Sequence, residues 1–498
     1  KENSGNIDEE TADNLIGMVT KWVSIPYGIL VVFVAGGALN LSPYFLELKD
    51  TLGFKPVEQE FIRWGVMFGF MGGIVSGPIV DIIGTTVSFI IAAFISGGGF
   101  IALAFYTDAS KVNAFNSILI IGLVVLASFG ASIAIIASIA TVIKNFSRNV
   151  GAMVTAVMIS YFYIAHYLDK CIREGYFHDV PIKTNMIATG IYTFIIYILA
   201  AFIIDENKES EAMKRTSSIT DRFGILIYAV ISAGALAAIY FTCVIAENFK
   251  LGVFFMVLII LVNFIVLGFT IQMLLGRIKS ADTRNVGKEH VPPKKNFIQM
   301  FGDIRYYCLL LGTFIVVGSG VTYTIEATSV AAAMGKENLG KEAVKSYWIS
   351  AAIAILGGGL ASGVFVNLLN GWLLAAAAAF SGMAGFGFVF LASTYGDFWF
   401  HLSSFFIGGA VGGWMVVVPQ IILDDAGPNS FESLWGLSLT VNCAGIFCFE
   451  RLFYWINEKL EPSSTSTCKG TSCYLAPYLI STGLCLIAGV LALVGFSK

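Results

Sequence analysis

Charge is what this chain has least of. Asp, Glu, Lys and Arg make up 13% of its 498 residues, against roughly 25% in a soluble domain. The basic residues are scattered between apolar runs and the formal net charge is −3, so there is no basic face of the kind a nucleic-acid binder needs. The eight cysteines contain no CxxC pair. Metal-ligand spacings, nucleotide-binding loops and nucleophile constellations are also missing, so neither enzymatic chemistry nor a metal or cofactor is expected. The opening KENSGNIDEETADNLIGMVT is polar and acidic, with no short apolar core and no small-residue cleavage site. It reads as a cytosolic tail rather than a signal peptide.

Long apolar runs are what the chain does have. Residues are 57% hydrophobic and the mean hydropathy is +0.80. The runs continue for about twenty residues, the length of a membrane helix, without the ten-residue alternation of a barrel. The fold class expected is an all-α polytopic membrane protein. Spans fall at roughly 22–46, 59–83, 87–106, 117–143, 150–170 and 185–204, then 223–246 and 250–275, then 306–332, 345–367, 371–392, 399–423, 432–455 and 474–495. This predicts a tail (1–21), a six-helix bundle (22–204), a linker (205–222), an inserted hairpin (223–275), a second linker (276–305) and a second six-helix bundle (306–498), about 14 helices in all. An even count puts both termini on one side. The basic residues of the two long linkers make that side cytosolic, although LDKCIREGYF and GKENLGKEAVK place lysine and arginine opposite. Cys468 and Cys473, in the polar loop EPSSTSTCKGTSCY, are either a disulfide in an oxidising compartment or two free thiols.

The two bundles echo each other. A shift of 286 positions (358 − 72) lays Gly72 and Gly73 on Gly358 and Gly359, Ser76 and Gly77 on Ser362 and Gly363, and Ala92, Ala93 and Phe94 on Ala378, Ala379 and Phe380. Agreement at the same place in each half predicts two parallel repeats enclosing a site. Gly77, Asp81 and Gly84 have the spacing G-x-x-x-D-x-x-G, which resembles the loop between the second and third helices of the major facilitator superfamily. That resemblance implies close helix contact at the glycines and an aspartate set near the amino end of a helix in the opposite half. GPNSFESLWG would receive it, with Ser430 as cap ahead of Phe431, Glu432 and Ser433. The alternative for Asp81 is a helix-end carboxylate in interfacial water. Ile82, Thr85 and Thr86 replace the family's basic residues, and in the second copy Asn367 stands where the aspartate would be, facing the start of the fifth span near 149–151.

A narrower resemblance covers nearly the whole chain. ALNLSPYFLELKDTLGF, KNFSRNVGAMV (Asn145, Phe146, Gly151), GSGVTYTIEATSVAAAMG, GGWMVVVPQIILDDAG (Trp414, Pro419) and CKGTSCY are similar to segments of nodulin-like transporters, which also carry two helices between their halves. Those proteins are related to monocarboxylate and oxalate/formate carriers. The resemblance implies a secondary transporter of a small organic anion, working by alternating access in a lipid bilayer. AAIAILGGGLASG lacks the arginine the family has in its tenth helix.

Ionisable groups inside a membrane cost about 2.5–3.5 kcal/mol on insertion scales, so each one asks for a partner or a task. Glu326, with Thr322 and Tyr323 on the same stripe, is either a proton-titrating or ligand carboxylate or an interfacial glutamate. Tyr163 and His166, three apart, are a proton-responsive cluster or part of an aromatic belt. Asn40 and Tyr44, one turn apart, face a central cavity or a neighbouring helix. Trp414 and Gln420 line the twelfth helix, whose glycines indicate close packing. Arg63 attracts an anion or snorkels. Glu450 and Arg451 are expected in solvent. Besides a proton-coupled carrier, two further readings stand: a passive facilitator of a neutral solute, and a non-transporting receptor or assembly subunit that keeps the fold.

Overall fold

In lipid, every backbone N–H and C=O must be satisfied within its own segment, and long apolar runs meet that demand as helices. The computed structural model describes residues 9–39, 56–106, 114–146, 148–176, 180–205, 219–239, 241–242, 249–278, 297–364, 370–427, 430–460 and 472–497. Among the described residues there is no strand. The first half runs through α1 (Glu9–Leu39), α2 (Pro56–Met71), α3 (Gly73–Ile83), α4 (Thr85–Ala92), a π-helical turn (Ala93–Gly97), α5 (Gly98–Tyr106), α6 (Ala114–Lys144), α7 (Arg148–Tyr176) and α8 (Ile182–Ile203). Then come α9 (Ile219–Ile239), α10 (Phe249–Ile278) and the short α11 (Phe297–Phe301). The second half has α12 (Ile304–Ala333), α13 (Glu337–Val364), α14 (Gly371–Tyr395), α15 (Asp397–Ala426), α16 (Phe431–Leu460) and α17 (Ser472–Ser497).

Eleven helices among the described residues are long and apolar enough to cross a bilayer. Several rods outrun the expected spans. α1 begins at Glu9, so the last part of the expected tail is the first turns of a helix whose apolar stretch starts at Val19. α2 and α3 form one rod with a break at Gly72. The π turn is local to a glycine contact: a Cβ on Gly130 would stand 2.5 Å from the Ser96 amide nitrogen.

The α9–α10 pair is fastened to α1 and α7. Trp22 stacks on Tyr228 at 6.4 Å, and Tyr27 meets Phe264 edge-on at 5.3 Å. Asn263 Nδ2 donates to the Tyr161 hydroxyl at 2.9 Å, and both residues are buried. α9 also reaches α13 of the second half.

Within the second half, glycines let α15 lie directly on α13. A Cβ on Gly408 would sit 2.2 Å from the Tyr347 carbonyl oxygen, and one on Gly412 would sit 2.1 Å from that of Ala351. With lipid as solvent, small residues of this kind are a main source of helix attraction. Gly412→Val is expected to lower the melting temperature of detergent-solubilised protein by several degrees, because overpacking costs about 1–3 kcal/mol. Gly387→Ala, where a Cβ meets nothing within 4 Å, is expected to melt like the parent. Equal melting of the two variants would refute the contact.

Candidate functional site

The polar chemistry of the molecule gathers where the halves meet. α3 and α2 lie along α16, and α7 lies along α13 and α15. Glycine sets the distance on both sides of this seam. A Cβ on Gly73 would come within 2.3 Å of the Gly436 carbonyl oxygen, and one on Gly77 within 2.4 Å of the Glu432 carbonyl oxygen. On the other side, a Cβ on Gly359 would come within 2.0 Å of Ala156 Cβ. Gly73 and Gly359 are the pair superposed by the 286-residue shift, so the two repeats place the same glycine at the same task.

One end of the seam carries Asp81. Its Oδ2 accepts from the Ser433 backbone N–H at 3.0 Å and from the Ser433 hydroxyl. Ser433 is the third residue of α16, whose first amides have no partner inside the helix, and a carboxylate there gains about 0.3–1 kcal/mol. The expected cap was Ser430. That residue is buried beside the helix start, but the donor on Ser433 goes to Asp81, a stronger acceptor brought in by the other half.

Glu432 is 2% exposed and forms an ion pair with Lys144, at the end of α6. Its second oxygen, Oε2, has no hydrogen-bond partner. Asp81, Thr85, Thr86, Lys144, Asp205 and Glu432 line an open recess of about 470 Å³ at this end. Gly77 and Gly84 serve this corner differently from one another. Gly77 gives close contact, whereas Gly84 has φ +80° and open space around it, turning the chain from α3 into α4 in a conformation that suits glycine.

At the opposite end Arg63 pairs with Glu450 across the same seam. Arg63 was expected to attract an anion or to snorkel, and Glu450 to lie in solvent. Glu450 is instead buried, because the guanidinium from α2 neutralises it where two helices close over it. Arg451, expected in solvent, is exposed and lies over the rings of Trp64 and Phe447 at 5.5 and 5.7 Å. Between the ends, Thr440 of α16 bonds the broken rod: its Oγ1 accepts from Ile74 N–H and donates to the Met71 carbonyl, both at 2.7 Å.

The remaining expected residues are dispersed. Tyr163 is buried at the seam, against Trp348 of α13 at 5.3 Å. Thr322 donates to the Gly318 and Ile446 carbonyls, Tyr323 shares a 2.6 Å bond with Ser404, and Trp414 Nε1 donates to Thr313. These three are committed to contacts inside the second bundle. Glu326 is half-buried and within electrostatic reach of Tyr478 on α17. Gln420 is buried, and its Oε1 has no hydrogen-bond partner. Gly363 lies in α13. Asn40, Tyr44, Asn367 and Cys468, and the side chains of His166 and Cys473, lie outside the described residues.

Lys144, Glu432, Arg63 paired with Glu450, and Thr440 were not foreseen as a set. An ionisable residue near the end of each of three seam or near-seam spans was the available signal. No partner can be read from one chain position alone.

No protein-family model matches the chain, and no curated protein is significantly similar to it. Solved structures do match. A proton:xylose symporter of the major facilitator superfamily, XylE, bound to 6-bromo-6-deoxy-D-glucose, is 12% identical with a TM-score of 0.52 over 98% of this chain and 94% of that one. A second transporter of that superfamily, FucP in the outward conformation, is 11% identical with a TM-score of 0.50 over 95% and 99%. A doubly tryptophan-substituted XylE is 13% identical with a TM-score of 0.52 over 96% and 95%. The chain is a polytopic helical membrane protein with the major facilitator fold.

Removing one member of a buried ion pair strands the other, at a cost of about 3–5 kcal/mol, whereas replacing both with apolar groups is often neutral. Glu432→Ala is expected to lower the melting temperature sharply, and Lys144→Met with Glu432→Leu to recover most of it. If single and double variants melt together, the pair does not hold the seam.

Proposed function

We propose that this protein is a secondary transporter that carries a small solute by alternately opening one end of the seam and then the other. One observation carries the reading: the two halves are joined by separate polar closures at opposite ends, Asp81–Ser433 with Lys144–Glu432 at one and Arg63–Glu450 at the other. Each closure can be released while the other stays made. A static assembly would need no such division.

A small organic anion such as a monocarboxylate is the first solute class, supported by the nodulin-like segments. Protons are the coupling ion we propose, with Glu326 as the group that titrates. A half-buried carboxylate beside tyrosines can exchange its proton as access changes. In this reading both termini and the Asp81 end are cytosolic, and the chain from 22–204 and from 306–498 forms the two moving bundles around the 223–275 hairpin.

The test is uptake into liposomes containing the purified protein, with and without an inward proton gradient, over a panel of small carboxylates and neutral sugars. Gradient-driven accumulation of a carboxylate is expected. Glu326→Gln is expected to abolish the gradient dependence while leaving counterflow exchange. Equal uptake with and without the gradient in the parent protein would favour a facilitator, and uptake of nothing in the panel would count against carriage of these classes.

A further inference from the structure

The α2–α3 rod is broken in an unusual way. At Gly72 the ladder tightens: Gly72 N–H donates to Gly69 O at 3.1 Å and Val75 N–H to Gly72 O at 2.8 Å, each three residues back. In a continuous α-helix, Ile74 N–H would go to Phe70 O, and Met71 O would accept from Val75 N–H. Here one hydroxyl serves both of those groups. It belongs to Thr440, in the other half.

The break is pressed from its own half as well, since a Cβ on Gly72 would stand 2.3 Å from the Phe129 ring. Within the same turn of the rod, Gly73 and Gly436 make the backbone contact that brings Thr440 into range. Backbone groups in lipid need partners. If α16 moves away, Ile74 N–H and Met71 O lose theirs, and the rod can restore both by closing its own ladder. That gives the rod two arrangements, one tightened at Gly72 and splinted by Thr440, one continuous and self-bonded.

We propose that Thr440 is a coupling residue, a positioning group whose hydroxyl makes the break in the α2–α3 ladder at Gly72 conditional on contact with α16. Opening of the seam and closing of the rod's own ladder are then one event. This rests on the proposed movement of the halves but adds a separate consequence, a change of shape inside one of them.

The experiment uses pulsed electron spin resonance on full-length protein in lipid nanodiscs, in a cysteine-free background. Labels at Phe61 and Ile82, both exposed and on either side of the break, report the shape of the rod. Labels at Phe61 and Tyr454, exposed on facing helices, report the seam. Thr440→Val is expected to shift the Phe61–Ile82 separation away from the parent value and to broaden the Phe61–Tyr454 distribution, while Thr440→Ser keeps both as in the parent. Arg63→Gln, which frees the far end with Thr440 intact, is expected to shift Phe61–Ile82 together with the seam. Should Thr440→Val fail to fold, the Arg63→Gln arm decides alone. A seam that opens while Phe61–Ile82 stays fixed overturns the coupling only. A seam distance that no variant moves refutes the moving halves, and the coupling with them.

Discussion

A polar group inside a bilayer has to find a partner, because water is not there to supply one. The arrangement of this protein follows from that constraint applied to one helix, α16. It carries Glu432, Ser433, Thr440 and Glu450 along its seam side, and each is bonded to the other half: to Lys144, Asp81, the broken backbone at Ile74 and Met71, and Arg63. Folding either bundle alone would leave those groups exposed to lipid or to each other. Polar pairing here ties the halves together, and apolar packing supplies the shape within each.

Glycine determines how near the halves come. Gly73 and Gly359 sit at equivalent places in the two repeats, and each brings a backbone against the opposite bundle. The equivalence stops at chemistry. On the α16 side the contact is flanked by carboxylates, a lysine and an arginine. On the α7–α13 side Tyr163 packs against Trp348 and Gly359 against Ala156. The two sides of the seam therefore differ: charge pairing is prominent on the α16 side, and aromatic and small-residue packing on the α7–α13 side.

Much of the fold could be read from composition because a bilayer is a simple solvent. Twenty apolar residues in a row have few alternatives to a helix, and the Gly72–Gly77 echo at Gly358–Gly363 pointed to two repeats. Asp81 was legible through its glycine spacing, and its receiving helix was identified, though the contact falls on Ser433 and not through Ser430. Residues whose task depends on a distant partner were harder. Nothing near Arg63 or Glu450 in the chain distinguishes an ion pair across the seam from two separate interfacial charges, since the two stand 387 positions apart. Thr322, Tyr323 and Trp414 showed the reverse difficulty. Their polar atoms fit a cavity or a neighbouring helix equally well by spacing, and the structure gives them to neighbouring helices.

The seam is closed at both ends at once, and that has an energetic consequence. On the proposed carrier reading the protein must pass between states without one of them dominating, since moving an equilibrium from 1:99 to 99:1 takes about 5.5 kcal/mol. If one end were closed by charge pairing and the other by apolar contact alone, a lost pair could not be offset by a gained one. Here each end has an ion pair between a basic residue of the first half and a glutamate of α16, one residue set near the start of that helix and one near its end. Releasing either costs a comparable kind of interaction. The Asp81–Ser433 bond then adds a modest bias, about 0.3–1 kcal/mol for a carboxylate at a helix start, toward keeping its own end shut.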